Sequence, residues 1–383
     1  MTPPITVTEV VTRRDFRRFL ELPHLVYRND PHWIAPLHSE VRKVLDRRRN
    51  PFFDHGEACY WLAWRGDTPV GRISAQVNRL HLETHHDATG NFGFLEAVDD
   101  PAVFAALLGT AEIWVKARGL ARILGPYSLS MNDEIGVLVS GFSDPPVIAM
   151  THAPPYYGPR LEAEGYAKAK DLYAFRFEID EARNRSIAEF LRHADRINRE
   201  GRVRVRHIDM RRFETEMRAG IGVYNDGWSA NWGFVPVTPR EVEHLLAALK
   251  PVIHPLGILL GEIDGQIAGL FVAIPDLNEL IADLHGKLFP LGWAKLLWRL
   301  RTRTPKGGRV MLAGLTKSYQ NSAVGAAMLL WMFADIFKSA HDRGYRYVEF
   351  SWVLEDNARS IALCERAGGQ LYKTYRLYQK SLE

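Results

Sequence analysis

The sequence predicts an α/β protein made of two tandem domains, each a mixed β-sheet flanked by helices. The main observation is an internal repeat, because a strand, a tight Gly/Asp turn and a second strand occur at 64–74 and again at 262–272. In both halves a strand, a long helix ended by a glycine (Gly119 or Gly344) and another strand follow. Strands that alternate with helices in this way are typical of a mixed sheet covered by helices.

The landmarks of the two halves keep their order and nearly their spacing. Gly71 precedes Gly165 by 94 residues, and Gly269 precedes Gly368 by 99 residues. Each of the later glycines is followed by a lysine and an aromatic strand. Duplication accounts for this agreement, and a single large α/β domain with coincidental spacing is the alternative.

The same elements are predicted in the same order in each half. The predicted strand, helix and strand are 91–98, 101–118 and 121–125 in the first half, and 309–315, 318–342 and 345–352 in the second. We place the domain boundary near 180–184, where a charged run separates an aromatic strand from a helix predicted for 186–200. The two domains therefore comprise residues 1–180 and 181–383.

Composition and charge exclude several classes of protein. Of the 383 residues, 46% are hydrophobic and 25% are charged, which excludes disordered and collagen-like chains. The net charge of +4 is small for this length, so we expect no nucleic-acid partner. Two cysteines cannot form a disulfide framework, so we expect a reduced, cytoplasmic compartment. The sequence shows neither the pattern of a signal peptide nor an uncharged apolar stretch of 18 or more residues, so we expect no membrane span.

A polar loop at the start of a helix in the second half is the main candidate for a binding site. Residues 320–326 follow a strand and contain small side chains, and no charge occurs from Asn321 through Ala334. Free backbone N–H groups and the helix dipole attract phosphate at a helix N-terminus. The alternative is that the small residues only allow a buried helix to pack tightly.

The spacing Gln320-x-x-Ala323-x-Gly325 resembles the Gln/Arg-x-x-Gly-x-Gly/Ala loop of the GNAT superfamily, which cradles the pyrophosphate of acyl-CoA. The segment 349–357, the helix that ends before Gly368 and the last strand resemble that superfamily too. The repeated order of elements covers essentially the whole chain. The resemblance implies two tandem GNAT-like domains and an N-acyltransferase that uses acyl-CoA as co-substrate.

The resemblance also assigns the residues that bind the co-substrate. Backbone N–H groups of the loop would hold the pyrophosphate, and an N–H near the end of the preceding strand would polarise the thioester carbonyl. An asparagine after the next strand would contact the pantetheine arm or position the following helix. These positions are Leu315, Gln320, Ser322, Ala323, Val324, Gly325, Ala326 and Asn357. Replacing Gly325 with Glu is expected to abolish acyl-CoA binding and leave the fold intact.

The general acid departs from the family pattern. In the family a tyrosine that protonates the leaving thiolate commonly lies seven residues after that asparagine, and Cys364 stands there in this chain. The thiol could donate the proton, or it could be a small buried residue.

The matching loop of the first half lies at 96–103 and contains Asp99, Asp100 and Pro101. Two carboxylates repel a pyrophosphate, and proline lacks the N–H donor. We expect the first half to be a degenerate copy that shapes the pocket for the acceptor.

A proton acceptor is required because an amine attacks a thioester only after it loses a proton. The candidates are Glu134, Asp133 and His285. Asp133 could instead cap the local turn. The histidine-rich stretch 81–87 has no metal-ligand motif, so we expect no metal.

Several segments resemble one GNAT-like group that includes bacterial ceramide synthases. They are the Asn-Asp-Glu segment 132–134, the Trp-rich and amide-rich segment 224–234, and the C-terminal segment 351–357 with the Tyr-Lys-Thr-Tyr-Arg ending. Such enzymes join a fatty acyl group from acyl-CoA to the amine of a sphingoid base. The resemblance implies fatty acyl-CoA and a sphingoid base as partners, and segment 224–234 suits the wall of an acyl pocket.

The second half also contains an insertion suited to a membrane surface. Residues 287–309 carry seven basic and no acidic side chains. On a helix one face would be basic and another apolar, the two sets being Lys295, Arg299 and Arg303, and Trp293, Leu296, Leu297 and Leu300. This composition is typical of an interfacial helix on anionic lipid, which predicts a peripheral position on the inner face of the membrane. A core helix whose arginines are solvated or bind the coenzyme is the alternative.

Two other functions stay open at this point. A GNAT of this kind could acylate a small polar amine, in which case short acyl-CoA would be preferred. A non-catalytic protein could instead bind acyl-CoA or lipid as a scaffold.

Overall fold

The computed structural model describes residues 3–198, 200–251 and 253–383. The chain folds into two compact units. Unit 1 comprises Met1–Leu172, Ile281–Trp293 and Lys373–Glu383, and unit 2 comprises Tyr173–Leu280 and Ala294–Tyr372. Both units combine a mixed sheet with helices, which confirms the predicted fold class.

The structure contains strands that range from four to twelve residues. In chain order they are β1 (Ile5–Glu9), β2 (Gly56–Arg65), β3 (Thr68–Asn78), β4 (Thr89–Ala97), β5 (Arg122–Gly125), β6 (Val137–Ser140), β7 (Ala167–Glu178), β8 (Val203–His207), β9 (Ile258–Ile263), β10 (Gln266–Pro275), β11 (Gly307–Leu315), β12 (Tyr347–Leu354) and β13 (Gln370–Ser381).

The α-helices alternate with these strands. They are α1 (Arg13–Glu21), α2 (Pro23–Val26), α3 (His38–Leu45), α4 (Arg79–His85), α5 (Pro101–Lys116), α6 (Tyr157–Ala163), α7 (Glu181–Ile197), α8 (Phe213–Gly227), α9 (Pro239–Leu249), α10 (Asn278–Ile281), α11 (Gly292–Thr302), α12 (Ala323–Asp342) and α13 (Ala358–Arg366). Short 3-10 helices lie at Pro51–Asp54, Met210–Arg212, Pro255–Gly257, Ala282–Leu284 and Lys317–Tyr319. The helix predicted for 186–200 is α7, and Arg199 lies outside the described residues.

In unit 1 the strands lie in the order β1, β2, β3, β4, β5 and β13, and β6 also pairs with β13. Neighbouring strands are antiparallel except β4 and β5, which are parallel. Helix α5 packs against β3 and buries Phe104, Leu107 and Leu108. The apolar stripe of this helix therefore builds one side of the core of unit 1.

Unit 2 repeats this arrangement, with β8, β9, β10 and β11 antiparallel and β12 parallel to β11. The part of β7 that belongs to unit 2 lies next to β12. Gly71 pairs with Ala97 in unit 1, and Gly269 pairs with Leu315 in unit 2. The glycines that mark the repeat in the sequence therefore occupy the same register position in both sheets.

Helix α12 is the central helix of unit 2. Among the described residues it is the one helix long and apolar enough to cross a membrane by length and composition, although 56% of its most apolar window is buried in the protein. Met328, Met332, Phe333 and Phe337 of this helix lie in the core of unit 2. A buried core helix passes the same length and composition test, and the packing favours that interpretation.

The units differ from the predicted domains 1–180 and 181–383 in where the last strands lie. Within residues 374–381 of β13, residues 374–376 pair with β6 and residues 378–381 pair with β5 in unit 1, where Tyr378 lies opposite Gly125. Phe177 of β7 instead packs on Phe333 and Phe350 in unit 2. Pairing between strands so distant along the chain leaves no local signal, which is why the sequence places the boundary near residue 180.

Candidate active site

Strands β11 and β12 form a fork in unit 2. They pair only where Gly307–Val310 meets Tyr347–Phe350, although β11 continues to Leu315 and β12 to Leu354. Beyond the paired residues, 311–314 of β11 are only partly buried. An unpaired strand edge presents N–H and C=O groups that can bind an extended ligand.

The loop after β11 is held by side-chain hydrogen bonds. Gln320 Nε2 donates to Gly227 O at 2.8 Å and to Leu315 O at 3.1 Å. Asp226 Oδ2 accepts the Lys317 N–H at 2.7 Å. Gln320 therefore fastens the loop to the end of β11 and to the C-terminal turn of α8. Beyond Leu315, the N–H of Thr316 donates to Ala268 O at 2.9 Å, so this donor is already used inside the sheet.

The first turn of α12 leaves two of the predicted donors for a ligand. Ser322 is the N-cap, and its Oγ accepts the Gly325 N–H at 3.0 Å while it donates to Tyr319 O at 2.9 Å. The N–H of Ala326 donates to Ser322 O at 3.0 Å. Ala323 and Val324 occupy the first two helical positions, where a helix provides no acceptor for the N–H groups.

A positive side chain lies next to these N–H groups. Arg359 of α13 donates through Nη1 to Asn321 Oδ1, and the same atom lies 3.4 Å from Gln320 O. The first turn of α12 contains no acidic residue. Two N–H groups, the helix dipole and a guanidinium group together suit an anion such as a pyrophosphate. Sequence reasoning missed Arg359. The signal that the sequence offered was a basic residue two positions after Asn357.

Packing requires glycine at position 325. A Cβ atom there would lie 2.1 Å from Tyr319 O and 3.0 Å from Leu315 Cδ1. Any side chain would displace the backbone of the loop. The prediction that Gly325→Glu leaves the fold intact is therefore wrong, and this variant cannot separate binding from folding.

The aromatic segment 224–234 lies against the unpaired part of β11. The ring of Trp228 covers Gly314 so closely that a Cβ at position 314 would lie 2.0 Å from it. Tyr224 contacts both Trp228 and Phe234, with ring centroids 5.0 and 5.6 Å apart. An aromatic wall beside the fork suits an apolar chain that enters along the strand.

Two more predicted residues, Asn357 and Cys364, belong to α13 and its N-cap. Asn357 is the N-cap of this helix, and its Oδ1 accepts the Ser360 N–H at 3.1 Å, so it positions the helix as the resemblance allows. Cys364 is 2% exposed in the core of unit 2, and burial raises the pKa of its thiol to about 12. A group with this pKa is a poor donor to a thiolate. The structure therefore favours the packing role for Cys364.

Replacing Cys364 with Ala is expected to leave kcat within about threefold, because the thiol is buried in the core of unit 2. The free energy of unfolding should fall by about 1 kcal/mol for the small cavity. Steady-state thiol release and a denaturant titration measure the two quantities. A loss of kcat of a hundredfold or more, with stability intact, would instead identify the thiol as the general acid.

A buried polar network lies at the base of the fork, and sequence reasoning missed it. Arg309 and Glu349 pair in register and are 2% and 1% exposed. Arg309 Nε donates to Ser351 Oγ at 2.9 Å, and Ser351 Oγ donates to Glu349 Oε1 at 2.5 Å. Tyr372 OH donates to the other carboxylate oxygen of Glu349. Ser351 connects the two buried charged side chains through hydrogen bonds, so this network holds the strands together where they begin to part. The signal in the sequence was one arginine and one glutamate, Arg309 and Glu349, each inside an otherwise apolar strand.

In unit 1 the backbone groups at the corresponding end of the strand already bond to tyrosine side chains of the same unit. Ala97, which corresponds to Leu315 in the register, donates its N–H to Tyr157 OH at 2.9 Å and accepts a hydrogen bond from Tyr156 OH at 2.8 Å. The following helix begins with Pro101, and Asp100 caps it by accepting the Ala102 N–H. The N–H groups of Ala97 and Ala102 are therefore used within the protein, and Pro101 has no N–H to donate to an anion or a thioester. The contacts support the prediction that the first half is a degenerate copy.

The candidate proton acceptors belong to unit 1, whereas the loop at 320–326 belongs to unit 2. Glu134 is exposed. Burial lowers the pKa of Arg72 in the same unit, whereas the negative charges of Glu96 and Glu134 raise the pKa of Arg72. Asp133 Oδ2 accepts hydrogen bonds from the N–H and Oγ of Ser130 at 3.1 and 2.8 Å, so it closes a local turn.

His285 is exposed in a left-handed backbone conformation with φ of 47°. Burial lowers the pKa of His24 nearby in unit 1, and Lys287 and His285 lower it further. His81 pairs with Asp87 at 3.2 Å. Across residues 3–198, 200–251 and 253–383, no group of three or more His, Cys, Asp or Glu side chains could hold a metal ion.

Comparison with known proteins identifies the family. The chain is 44% identical over 379 residues to the bacterial ceramide synthase of Caulobacter vibrioides (strain NA1000 / CB15N), covering 99% of this chain and 98% of that protein. It is 38% identical over 377 residues to protein YghO of Escherichia coli (strain K12), covering 98% and 95%. A comparison with models of protein families gave no match.

Solved structures show the same fold. A tandem GNAT protein from the clavulanic acid biosynthesis pathway superposes with a TM-score of 0.56 at 12% identity and covers 99% of both chains. A GCN5-related N-acetyltransferase from Sphaerobacter thermophilus gives 0.54 at 14% identity and covers 100% of this chain and 98% of that one. The chain has the fold of tandem GNAT proteins and belongs to the family of the bacterial ceramide synthase of Caulobacter.

Proposed function

We propose that this protein transfers a fatty acyl group from acyl-CoA to the amine of a long-chain sphingoid base and so forms a ceramide or its keto or dihydro form. The observation that carries the proposal is the 44% identity, over almost the full length of both chains, to a protein named bacterial ceramide synthase. The geometry of unit 2 supports the use of acyl-CoA.

Acyl-CoA would bind with its pyrophosphate at the start of α12. The N–H groups of Ala323 and Val324 and the guanidinium group of Arg359 supply hydrogen bonds and positive charge there. The pantetheine arm would extend along the unpaired edge of β11, because its amides can pair with strand N–H and C=O groups. The aromatic wall around Trp228 would cover the start of a long acyl chain.

In the reaction the amine nitrogen attacks the thioester carbonyl carbon, a C–N bond forms, and the C–S bond breaks. Coenzyme A leaves as a thiolate that takes up a proton, and the amine loses one. A backbone N–H near Leu315 would stabilise the negative oxygen of the tetrahedral intermediate. For the proton acceptor we propose one of Glu134, Asp133 and His285, of which the Asp133 carboxylate accepts two hydrogen bonds from Ser130.

The proposal is tested by free-thiol release from palmitoyl-CoA and acetyl-CoA, with and without sphinganine or 3-ketosphinganine, and by mass spectrometry of the lipid product. We expect release with palmitoyl-CoA that depends on the sphingoid base and yields an amide. A preference for acetyl-CoA and a small polar amine would overturn the sphingoid assignment and leave the N-acyltransferase family unchanged.

A further inference from the structure

Exposed apolar side chains cluster on one short segment of the chain. Among the described residues, nine large hydrophobic side chains are exposed, and six of them lie within residues 289–300. They are Phe289, Leu291, Trp293, Leu297, Trp298 and Leu300. Phe289 and Leu291 are 81% and 73% exposed. Single exposed apolar residues are normal, but exposed apolar side chains concentrated in one short segment mark an interaction surface.

Helix α11 points its apolar side outward. Arg299 is buried, and its Nη1 donates to Leu280 O at 2.7 Å. The predicted basic face of Lys295, Arg299 and Arg303 is therefore wrong for Arg299, whose side chain points into the protein. On the same helix Leu297, Trp298 and Leu300 are exposed.

The same segment is basic. It contains no acidic residue between Lys287 and Arg309, and five of its seven basic residues are exposed. They are Lys287, Lys295, Arg301, Arg303 and Lys306. Glu279 contacts the backbone of this segment, because its Oε2 accepts the N–H of Lys306 at 2.9 Å. The surface therefore combines exposed tryptophan, leucine and phenylalanine with positive charge.

We propose that segment 287–306 docks the protein on the surface of an anionic phospholipid bilayer, with the apolar side chains inserted between headgroups and the basic side chains on lipid phosphates. An apolar surface of this kind could bind a membrane or a second copy of this chain, and its positive charge favours the membrane. A second copy of this chain would bring like charges together, whereas an anionic membrane neutralises them. This docking is independent of which amine the enzyme acylates.

The test is co-sedimentation of the full chain with vesicles of phosphatidylcholine alone and of phosphatidylcholine with phosphatidylglycerol, without acyl-CoA or sphingoid base. We expect binding to the anionic vesicles that weakens with added salt. The double variant Phe289→Ser/Leu291→Ser should lower the partition coefficient by about tenfold or more. The double variant Arg301→Gln/Arg303→Gln should lower it by about fivefold per charge.

Matched controls test whether vesicle binding depends on this segment or on any exposed apolar or basic side chain. Ile113 is 73% exposed, as Leu291 is, and the ion-paired Arg49 is also exposed. Ile113→Ser and Arg49→Gln should bind as the unaltered protein does, and circular dichroism should show that all variants melt alike. Absence of binding to anionic vesicles, or equal loss in the Ile113→Ser control, would overturn the proposal. A dimer in solution that the Phe289→Ser/Leu291→Ser variant abolishes, without vesicle binding, would assign the surface to a second copy.

Discussion

Replacing Ala323 with proline is expected to weaken acyl-CoA binding by about 10- to 100-fold and to leave the fold intact. Position 323 is the first residue of α12, where proline fits because its missing N–H has no partner within the helix. The preceding residue, Ser322, has ψ of 152°, which a residue before proline adopts readily. The lost charge-assisted hydrogen bond to pyrophosphate contributes roughly 1.5–3 kcal/mol.

Isothermal titration with coenzyme A and with palmitoyl-CoA measures this change. The matched control is Arg13→Pro, at the first position of α1 in unit 1, which should bind as tightly as the unaltered protein. Thermal unfolding of both variants checks that each helix start tolerates proline. Unchanged affinity in the Ala323→Pro variant, with the fold preserved, would remove the start of α12 from the binding site.

The fragment 1–180, expressed alone, is expected not to fold. Unit 1 includes residues 374–381, in which 374–376 pair with β6 and 378–381 with β5, and these residues are absent from the fragment. Asp171 is buried and accepts hydrogen bonds from Arg376 Nε and Nη2 at 2.8 and 3.0 Å. Without β13 the fragment exposes two strands, and the Asp171 carboxylate loses both hydrogen bonds from Arg376 and keeps the ion pair with Lys168 at 3.0 Å. The loss is comparable to the whole free energy of unfolding of a domain, on the order of 5–15 kcal/mol.

Circular dichroism and amide-proton dispersion measure whether the fragment is folded. The complementary fragment 181–383 should fail for the matching reason, because it lacks Phe175 and Phe177 of the core of unit 2. Co-expression of both fragments is the control and should restore a cooperative unfolding transition. A cooperative transition from 1–180 alone would show that the contacts of β13 are dispensable for unit 1.

Much of the fold could be predicted from the sequence because its signals are local. Gly119 and Gly344 both have positive φ, of 73° and 75°, at the ends of the two long helices, as their positions after periodic apolar runs predict. The repeat landmarks Gly71 and Gly269 take the same register position in their sheets. The loop before α12 lies where the spacing of small residues places it.

The site was predicted only in outline. The sequence locates the loop at 320–326, but hydrogen bonds from Ser322 and Gly325 use some of its groups within the protein. Whether an N–H is free depends on the conformation of its neighbours, and the residue type alone does not report this. The same holds for Cys364, because only packing reveals that its thiol is buried.

The sequence by itself determined the α/β class, the duplication and the position of the loop, because periodicity, turn residues and spacing act over a few neighbouring residues. The tertiary structure alone decided that β13 completes unit 1, that Arg309 and Glu349 meet at the fork, and that Arg299 turns inward. Each of these depends on contacts between residues far apart in the chain. Such contacts are selected by the packing of the whole unit, since burying a charge or a strand edge is stable only where a partner is already in place.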